Sequence, residues 1–239
     1  MTTDSSFRAE LYDNYVSGHQ GRIAESGSQA SLETDVISRL PTDRHARIVD
    51  IGCGQGQLVG LLQDLGYDSV VGIDVSAEQV ALAHELGRPT VEQAELFAFV
   101  DAHAGEFDAV TAVDLVEHFE RQDVIGLFAG LGRLLRPGGT LIIRTPNAAS
   151  PYGGRILYSD LTHGVAYTRR SLEQVCAAAD LEFVGAFPVR PAGKRFRQRV
   201  RRALWRGIEA GFIAPLIVET GNVRGHLVTQ NLIGVARKP

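Results

Sequence analysis

The feature that most constrains this sequence is a set of three glycines at alternate positions, Gly52, Gly54 and Gly56. Before them, the short apolar segment 46–51 predicts a buried strand, and after them residues 57–65 have the spacing of a helix. Only glycine lets a backbone turn this sharply and leaves no Cβ between the chain and a ligand. Asp50 precedes the glycines, where the strand ends. We therefore expect a small molecule to bind at this strand–turn–helix unit.

Strand and helix patterns alternate through most of the remaining chain. Further strands are predicted near 69–74, 89–92, 107–113, 139–145, 181–189 and 227–236. Further helices are predicted near 76–87, 95–103, 121–135 and 168–179. This alternation predicts an α/β protein with a doubly wound parallel sheet covered by helices on both faces. Ligands of such sheets bind beyond the carboxyl ends of the strands, so the residues at those ends are the candidates for function.

The composition limits the classes of protein that remain. A chain of 239 residues, 22% of them charged, fits one globular domain, and its net charge of -4 argues against a nucleic-acid partner. Residues 1–10 lack the apolar core of a signal peptide. No apolar run approaches the ~20 residues of a membrane-spanning helix, so we expect a cytoplasmic protein. Cys53 and Cys176 lie in unlike contexts and predict no disulfide framework.

A second acidic residue, Asp74, ends the next predicted strand eighteen residues after Gly56. An acid at this position can accept hydrogen bonds from both hydroxyls of a ribose, although Asp74 or Ser76 could instead cap the following helix. NAD-binding folds share this acid, so it indicates an adenosine ligand more than a particular reaction. A nicotinamide-binding loop would require glycine at Gln57, which disfavours an NAD-dependent reductase.

Histidines and acids stand near the later strand ends. Glu117 and His118 follow the fourth strand, and Asp160 and His163 precede the helix that Thr168 is expected to cap. Imidazole titrates near neutral pH, so His163 is a candidate general base for a hydroxyl proton, with Asp160 orienting it. The alternatives are that His163 bonds a loop carbonyl and that His118 caps the next helix. Asp160 and His163 alone are too few ligands for a metal ion, so none is predicted.

Taken together, these motifs resemble the class I S-adenosylmethionine-dependent methyltransferases. The resemblance rests on the alternate glycines, on Leu115-Val116-Glu117-His118 and on Pro137-Gly138-Gly139 before a strand. Thr145-Pro146-Asn147 and the pattern Asp160-x-x-His163 are similar to the subgroup that includes the ubiquinone-pathway O-methyltransferases, which act on small molecules. The family implies a Rossmann-like sheet of seven strands, mostly parallel, with an antiparallel last strand.

The resemblance covers residues 46–185 and the final strand. It implies S-adenosyl-L-methionine as cofactor, S-adenosyl-L-homocysteine as product, and catalytic roles for His163, His118 and Asp160. It also implies donor contacts along the glycine loop and the following strand ends, at Asp50, Gly52, Cys53, Gly54, Gly56, Asp74, Val75, Gln93, Ala94 and Asp114. Gln93 departs from the family pattern, which has an acid at this place.

The resemblance favours O-methylation of a small polar acceptor, such as a sugar or glycan precursor. The sugar assignment rests on a weaker resemblance, carried by Tyr15-Val16-Ser17-x-His19, Asp160-x-x-His163 and parts of 219–232. The alternatives are a quinone, a phenol or another secondary metabolite as acceptor. In a different class, the chain could be a cofactor-binding protein that regulates without catalysing.

Within a single domain over 1–239, the N-terminal residues 1–45 hold no strand pattern. They are expected to form a cap on the core or a lid over the cofactor, and the small and polar residues 21–31 are expected to be mobile. If the segment is a lid, it would bring Tyr12, Tyr15 or His19 to the site. The lid is the more specific of the two hypotheses.

Residues 191–226 form a second unusual segment, inserted between the last two predicted strands. Within it, residues 194–206 are rich in arginine, and apolar residues recur every four positions, which predicts a basic amphipathic helix. Three roles are open for this helix. It could be the solvated face of a lid or of a homodimer contact, a grip for a phosphate on the acceptor, or a contact with a membrane surface.

Overall fold

Seven strands form one sheet in the computed structural model, which describes residues 26–193 and 195–239. The strands are β1 (Ile48–Ile51), β2 (Val70–Asp74), β3 (Val91–Gln93), β4 (Phe107–Val113), β5 (Leu135–Pro146), β6 (Glu182–Pro188) and β7 (Asn231–Arg237). Their order is β3-β2-β1-β4-β5-β7-β6, and β7 runs antiparallel to both of its neighbours. The predicted doubly wound sheet with an antiparallel last strand is confirmed.

Helices cover the sheet on both faces. In the described part of the chain they are α1 (Ser26–Asp35), α2 (Gln57–Asp64), α3 (Ala77–Glu85), α4 (Leu96–Ala102), α5 (Val124–Leu134), α6 (Gly153–Leu157), α7 (Arg169–Ala178) and α8 (Phe196–Thr220). Short 3₁₀ turns lie at Ile37–Arg39 and Val116–His118. The predicted N-cap of α7 is confirmed, because Thr168 Oγ1 accepts a hydrogen bond from the Ser171 N–H at 3.1 Å.

The order of the strands determines where a ligand can bind. β1 pairs in parallel with β2 on one side and with β4 on the other. The chain places β2 and β3 on one side of β1 and then returns to place β4 on its opposite side, so the strand order reverses between β1 and β4. The carboxyl ends of β1 and β4 therefore border the crevice in which such sheets bind their ligands.

Two apolar layers hold these strand ends in place. β1 is buried along its whole length, as expected for a central parallel strand with a helix layer on each face. On one face α5 contributes Leu127 and Leu131, both fully buried, and on the other Leu62 of α2 packs in the same cluster as Leu32 of α1. Each such side chain stabilises the fold by about 1.5–3 kcal/mol. The residues that follow β1 and β4 are thus anchored to a well-packed core.

Residues 26–31, part of the segment predicted to be mobile, belong to the helix α1. The helix is short and rich in serine and glycine, both weak helix formers, so its local pattern did not indicate it. Burial of Leu32 and Val36, four positions apart on one face, stabilises it instead.

Several predicted boundaries also shift. Pro137-Gly138-Gly139 was predicted as a turn before the fifth strand, but β5 already begins at Leu135. Gly138 supplies the bend with a φ of 79°, and its N–H donates to the Lys238 carbonyl at 2.9 Å. α8 extends beyond the basic segment through the apolar residues 213–218, and α5 and β7 begin three and four residues later than predicted.

The predicted lid residues Tyr12, Tyr15 and His19 lie outside the described residues. Across the described ranges, no helix combines the length and the apolar character that crossing a bilayer requires.

Candidate active site

The glycine loop after β1 combines tight packing with one open position. All three glycines have φ between 53° and 71°. A Cβ on Gly52 would lie 2.6 Å from Leu115 Cδ1, and a Cβ on Gly56 would lie 2.7 Å from Val91 Cγ2. The packing of the protein itself therefore requires glycine at both positions. Beyond its chain neighbours, a Cβ on Gly54 would meet no heavy atom of the described residues closer than 3.7 Å, so this backbone is open to a ligand.

Asp74 joins the glycine loop to the end of β2. Its Oδ2 accepts the Gly54 N–H at 2.8 Å, and its Oδ1 accepts the Ser76 N–H at 2.9 Å. Ser76 rather than Asp74 caps α3, because its hydroxyl accepts the Gln79 N–H. Each carboxylate oxygen can accept more than one hydrogen bond, so Asp74 can also receive the two hydroxyls of a ribose beside the open Gly54. This arrangement fits the adenosine part of the expected cofactor.

The end of β3 is bonded to the segment after β2. The Gln93 side-chain amide donates to the Val75 carbonyl at 3.1 Å, and the Ala94 N–H donates to the Asp74 carbonyl at 3.1 Å. The N–H of Ala94, a predicted contact of the cofactor, is therefore engaged within the protein. Val75 is exposed next to Asp74, so an apolar side chain borders the predicted ribose position.

Asp50 is a buried carboxyl group beneath the glycine loop. It accepts a hydrogen bond of 2.6 Å from the Thr111 hydroxyl of the neighbouring strand β4. Burial raises the pKa of Asp50 to about 7, against the opposing effects of the Thr111 hydrogen bond and the positive charge of Arg144. Asp50 thus ionises near neutral pH, and a cationic ligand nearby would favour its ionised form.

Arg144 is a functional candidate that sequence reasoning missed. It lies near the end of β5, and its guanidinium forms a two-point ion pair with Asp114, in which Nε donates to Oδ1 at 3.0 Å. Burial lowers the pKa of Arg144, but the Asp114 carboxylate outweighs this effect, and the pKa lies above its ordinary value. This ion pair holds the side chain of Asp114, a predicted contact of the cofactor, whose backbone has a φ of 53°. A single arginine directly after three apolar strand residues was the available signal.

The two candidate histidines lie side by side. The imidazole rings of His118 and His163 meet edge to face, with centroids 4.7 Å apart. His118 lies in a 3₁₀ turn and does not cap α5, whose N-cap position is Asp123. The loop that carries His163 is held to this turn because the Gly164 and Val165 N–H groups donate to the Glu117 carbonyl at 2.7 and 3.1 Å.

Hydrogen bonds assign roles to the ring nitrogens. The Thr162 hydroxyl donates its one proton to Asp160 Oδ1 at 2.7 Å, so its oxygen accepts from His118 Nδ1, also at 2.7 Å. His163 Nδ1 lies 3.2 Å from the Leu157 carbonyl, which can only accept. In their neutral forms both imidazoles therefore carry the proton on Nδ1 and a lone pair on Nε2, as a base or a metal ligand requires.

The structure links Asp160 to His118 through Thr162, whereas the sequence predicted that Asp160 orients His163. Partial burial acts to raise the pKa of Asp160, but the two hydrogen bonds from Thr162 and the neighbouring His118 and His163 outweigh it. The pKa of Asp160 consequently lies below its ordinary value, and Asp160 is a carboxylate at neutral pH.

Glu117 completes a cluster of three potential metal ligands with the two histidines. Its side chain is buried, and Oε2 accepts from the Thr145 hydroxyl at 3.1 Å. Burial, and then the negative charge of Asp114, raise the pKa of Glu117 to about 8. One ligand atom from each of Glu117, His118 and His163 lies within 4.8 Å of the others. Two imidazoles and a carboxylate are ligands suited to Zn²⁺ and similar transition metals.

The predicted donor and catalytic residues thus come together along one edge of the sheet. The contact between Leu115 and Gly52 places the turn with Glu117 and His118 against the glycine loop. Cys53 lies in the same loop, but burial raises the pKa of its thiol and it has no ionised form at neutral pH.

The fold and this edge define a class of protein. A doubly wound sheet with an antiparallel last strand, an open glycine loop after β1 and an acid at the end of β2 are the features of the class I S-adenosylmethionine-dependent methyltransferases. Residues 26–185 match the family described as "Methyltransferase domain", and the chain belongs to this family of enzymes. The predicted family and its S-adenosyl-L-methionine cofactor are confirmed.

Known proteins resemble parts of the chain. The ubiquinone biosynthesis O-methyltransferase of Methylococcus capsulatus is 36% identical over 54% of this chain and 62% of that protein. The trans-aconitate 2-methyltransferase of an Azoarcus species is 38% identical over 47% of this chain and 44% of that protein. The matched region thus spans less than two thirds of either relative. A SAM-dependent methyltransferase from Archaeoglobus fulgidus shares the fold with a TM-score of 0.66 at 19% identity, over 95% of this chain and 99% of that one.

Proposed function

We propose that the protein transfers the methyl group of S-adenosyl-L-methionine to a hydroxyl oxygen of a small molecule. The observation that carries this proposal is the imidazole pair beside the glycine loop, with His118 linked to a carboxylate through Thr162. The sulfonium donor is already activated, so the protein must hold the acceptor in line with the methyl group and accept its proton. A regulatory protein that only binds the cofactor would not need such a base.

His118 is the base that the contacts favour, with His163 as its alternate. The sequence placed His163 first, because Asp160 precedes it by three positions. In the structure the Asp160 carboxylate acts on His118 through the Thr162 hydroxyl. This connection holds the His118 ring in one orientation and stabilises the imidazolium that forms when Nε2 takes a proton. Asp160 is then a positioning residue rather than a group that touches the acceptor.

A phenolic hydroxyl is the acceptor that suits this base. A phenol ionises near pH 10, as tyrosine does, whereas an aliphatic sugar hydroxyl is a much weaker acid. Imidazole is a weak base and therefore removes a phenolic proton more readily than a sugar proton. The name of the Methylococcus capsulatus relative, a ubiquinone biosynthesis O-methyltransferase, supports the same choice. The sugar or glycan precursor predicted from the sequence becomes the second candidate, and a tricarboxylic acid such as trans-aconitate the third.

A labelled methyl group tests the acceptor directly. The purified protein is incubated with donor labelled in the methyl group and, separately, with a catechol quinone precursor, a nucleotide sugar and trans-aconitate. Label in the phenol alone supports the proposal, and label in the nucleotide sugar restores the acceptor predicted from the sequence. No label in the phenol, the nucleotide sugar or trans-aconitate, together with confirmed donor binding, would contradict all three.

A metal-assisted route is a second mechanism for the same reaction, favoured by the cluster of Glu117, His118 and His163. A divalent ion would lower the pKa of a bound hydroxyl and reduce the need for a base. Turnover after extensive dialysis against a chelator, with and without added Zn²⁺, Mn²⁺ or Mg²⁺, distinguishes the two. Full activity of the metal-free protein supports the imidazole base, and activity that returns only with metal supports the second route.

Three further points complete the proposal. We assign the protein to the cytoplasm and regard 1–239 as one methyltransferase domain. Residues 1–45 then serve as a cap over the core or a lid over the site. A grip on an acceptor phosphate remains a proposed role for the inserted segment 191–226.

A further inference from the structure

The inserted helix α8 has an unusual distribution of apolar surface. In most surface helices the apolar side faces the protein. In α8 the large apolar side chains Phe196, Val200, Leu204 and Ile208 are 78, 41, 65 and 49% exposed. They recur every four residues and therefore form one slanted stripe along the outer side of the helix. The basic amphipathic helix predicted from the sequence is present, but its apolar stripe does not pack on the core.

Polar contacts, in contrast, attach α8 to the rest of the molecule. Glu209 is buried and forms a two-point ion pair with Arg190 at 2.8 and 3.0 Å. Arg202 donates to the carbonyls of Pro191 and Gly193 at 3.2 and 2.7 Å. These contacts hold one side of α8 against the rest of the protein. The apolar stripe lies on the opposite side and therefore faces outward.

Charge around the stripe is of one sign. Four exposed arginines lie on either side of it, Arg197, Arg199, Arg201 and Arg206. Among the described residues, no carboxylate lies within ion-pair distance of these four side chains. The acid within this part of α8 is Glu209, which faces inward and is neutralised by Arg190. The outer surface of α8 over residues 196–208 is therefore an apolar strip between two cationic margins.

We propose that α8 binds the protein to the surface of an anionic lipid bilayer. The apolar stripe would enter the boundary between headgroups and acyl chains, and the flanking arginines would contact lipid phosphates. A second copy of the chain fits the surface less well, because two such helices would bring eight arginines together without a compensating carboxylate. The proposal is independent of the acceptor, since it rests on no residue of the imidazole pair.

Vesicle binding of the full chain tests the proposal. Co-sedimentation is expected with vesicles of phosphatidylcholine and phosphatidylglycerol in equal parts, and weak or no binding with phosphatidylcholine alone. Leu204→Glu should abolish binding to the anionic vesicles, whereas Ile125→Glu should not, although Ile125 on α5 is also exposed, at 52% against 65% for Leu204. Replacing Arg197 and Arg201 by Gln should weaken binding by about tenfold or more, because each basic residue near an anionic surface contributes about 1 kcal/mol.

The single tryptophan of the chain, Trp205, lies on α8 and allows a direct test of insertion. In a Trp205→Phe background, Leu204→Trp should show a blue-shifted emission with anionic vesicles, and Ile125→Trp in the same background should not. Retained binding of S-adenosyl-L-homocysteine shows that each variant is folded. No sedimentation of the wild type with anionic vesicles overturns the proposal. The proposal is also overturned if Leu204→Glu binds the anionic vesicles as the wild type does. A homodimer that is seen in sedimentation equilibrium and that Leu204→Glu dissociates would overturn it as well.

Discussion

The proposed donor and acceptor sides of the site are built in different ways. On the donor side, the glycine loop, Asp74 and Ala94 are held by backbone groups at adjacent strand ends. On the acceptor side, His118 is held by the side chain of Thr162, 44 residues later in the chain. The donor side is therefore determined by the sheet, whereas the acceptor side depends on one loop. Changes on the two sides should separate donor binding from turnover, and this expectation can be tested.

The largest effect is expected at Gly54. Gly54→Val should weaken binding of S-adenosyl-L-homocysteine by more than about a hundredfold, because its side chain would fill the open space beside the Asp74 carboxylate. Isothermal titration calorimetry measures the loss. The positive φ of Gly54 adds backbone strain of about 1–3 kcal/mol, which lowers stability as well.

Gly87 provides a matched control for that strain. Its φ is 77°, and a Cβ there would meet no described atom within 4 Å. Gly87→Val should lower the melting temperature to a similar extent and leave donor affinity unchanged. Unchanged donor affinity in Gly54→Val would show that the glycine loop does not bind the donor.

The second largest effect is expected at the imidazoles. His118→Ala should lower kcat by about 10²–10⁴-fold, as the loss of a general base does, and leave donor affinity within about twofold. His163→Ala should lower kcat less, because the contacts of His163 reach a backbone carbonyl rather than a carboxylate. Single-turnover rates at saturating acceptor make the comparison. A larger loss in His163→Ala would reverse the assignment of the base.

The difference between the two sides also explains what the sequence could predict. The strand ends, Asp50, Asp74 and the glycines follow from local patterns, since parallel strands bring their carboxyl ends to one edge. The hydrogen bonds that link Asp160 through Thr162 to His118 do not follow from a local pattern, because the side chains of Thr162 and His118 are 44 residues apart in the chain. Arg144 was missed for the same reason: its partner Asp114 lies directly after β4, 30 residues earlier in the chain. The length of α8 was underestimated because the apolar residues 213–218 were not recognised as part of the basic helix.

A moderate effect with a defined pH dependence is expected at Asp50. Its pKa of about 7 in the folded protein lies above the ordinary value of 3.8, so the folded state binds this proton more tightly than the unfolded state. The free energy of unfolding of the donor-free protein should therefore fall as the pH rises from about 4 to 7, and Glu117 should extend the fall to about 8.

Asp50→Asn keeps the acceptor for the Thr111 hydroxyl and removes the charge. At pH 8.5 it should stabilise the donor-free protein by on the order of 2 kcal/mol, or about 4–8 °C in melting temperature, with little gain at pH 5. Affinity for the cationic donor should rise with pH through about 7 in the wild type and stay flat in Asp50→Asn. A melting temperature that falls in parallel for both proteins would show that Asp50 does not carry this dependence.

The smallest effect is expected at Thr162, where the acceptor side is most easily disturbed. Thr162→Val removes the hydroxyl between Asp160 and His118 and nearly preserves the shape of the side chain. We expect kcat to fall about tenfold and the acidic limb of the pH–rate profile to move to lower pH, because the imidazolium loses the stabilising link to the carboxylate. Thr162→Ser retains the hydroxyl and should restore both kcat and the profile. If Thr162→Val and Thr162→Ser lose activity equally, without a change in the profile, Thr162 only packs the loop, and His163 becomes the stronger candidate for the base.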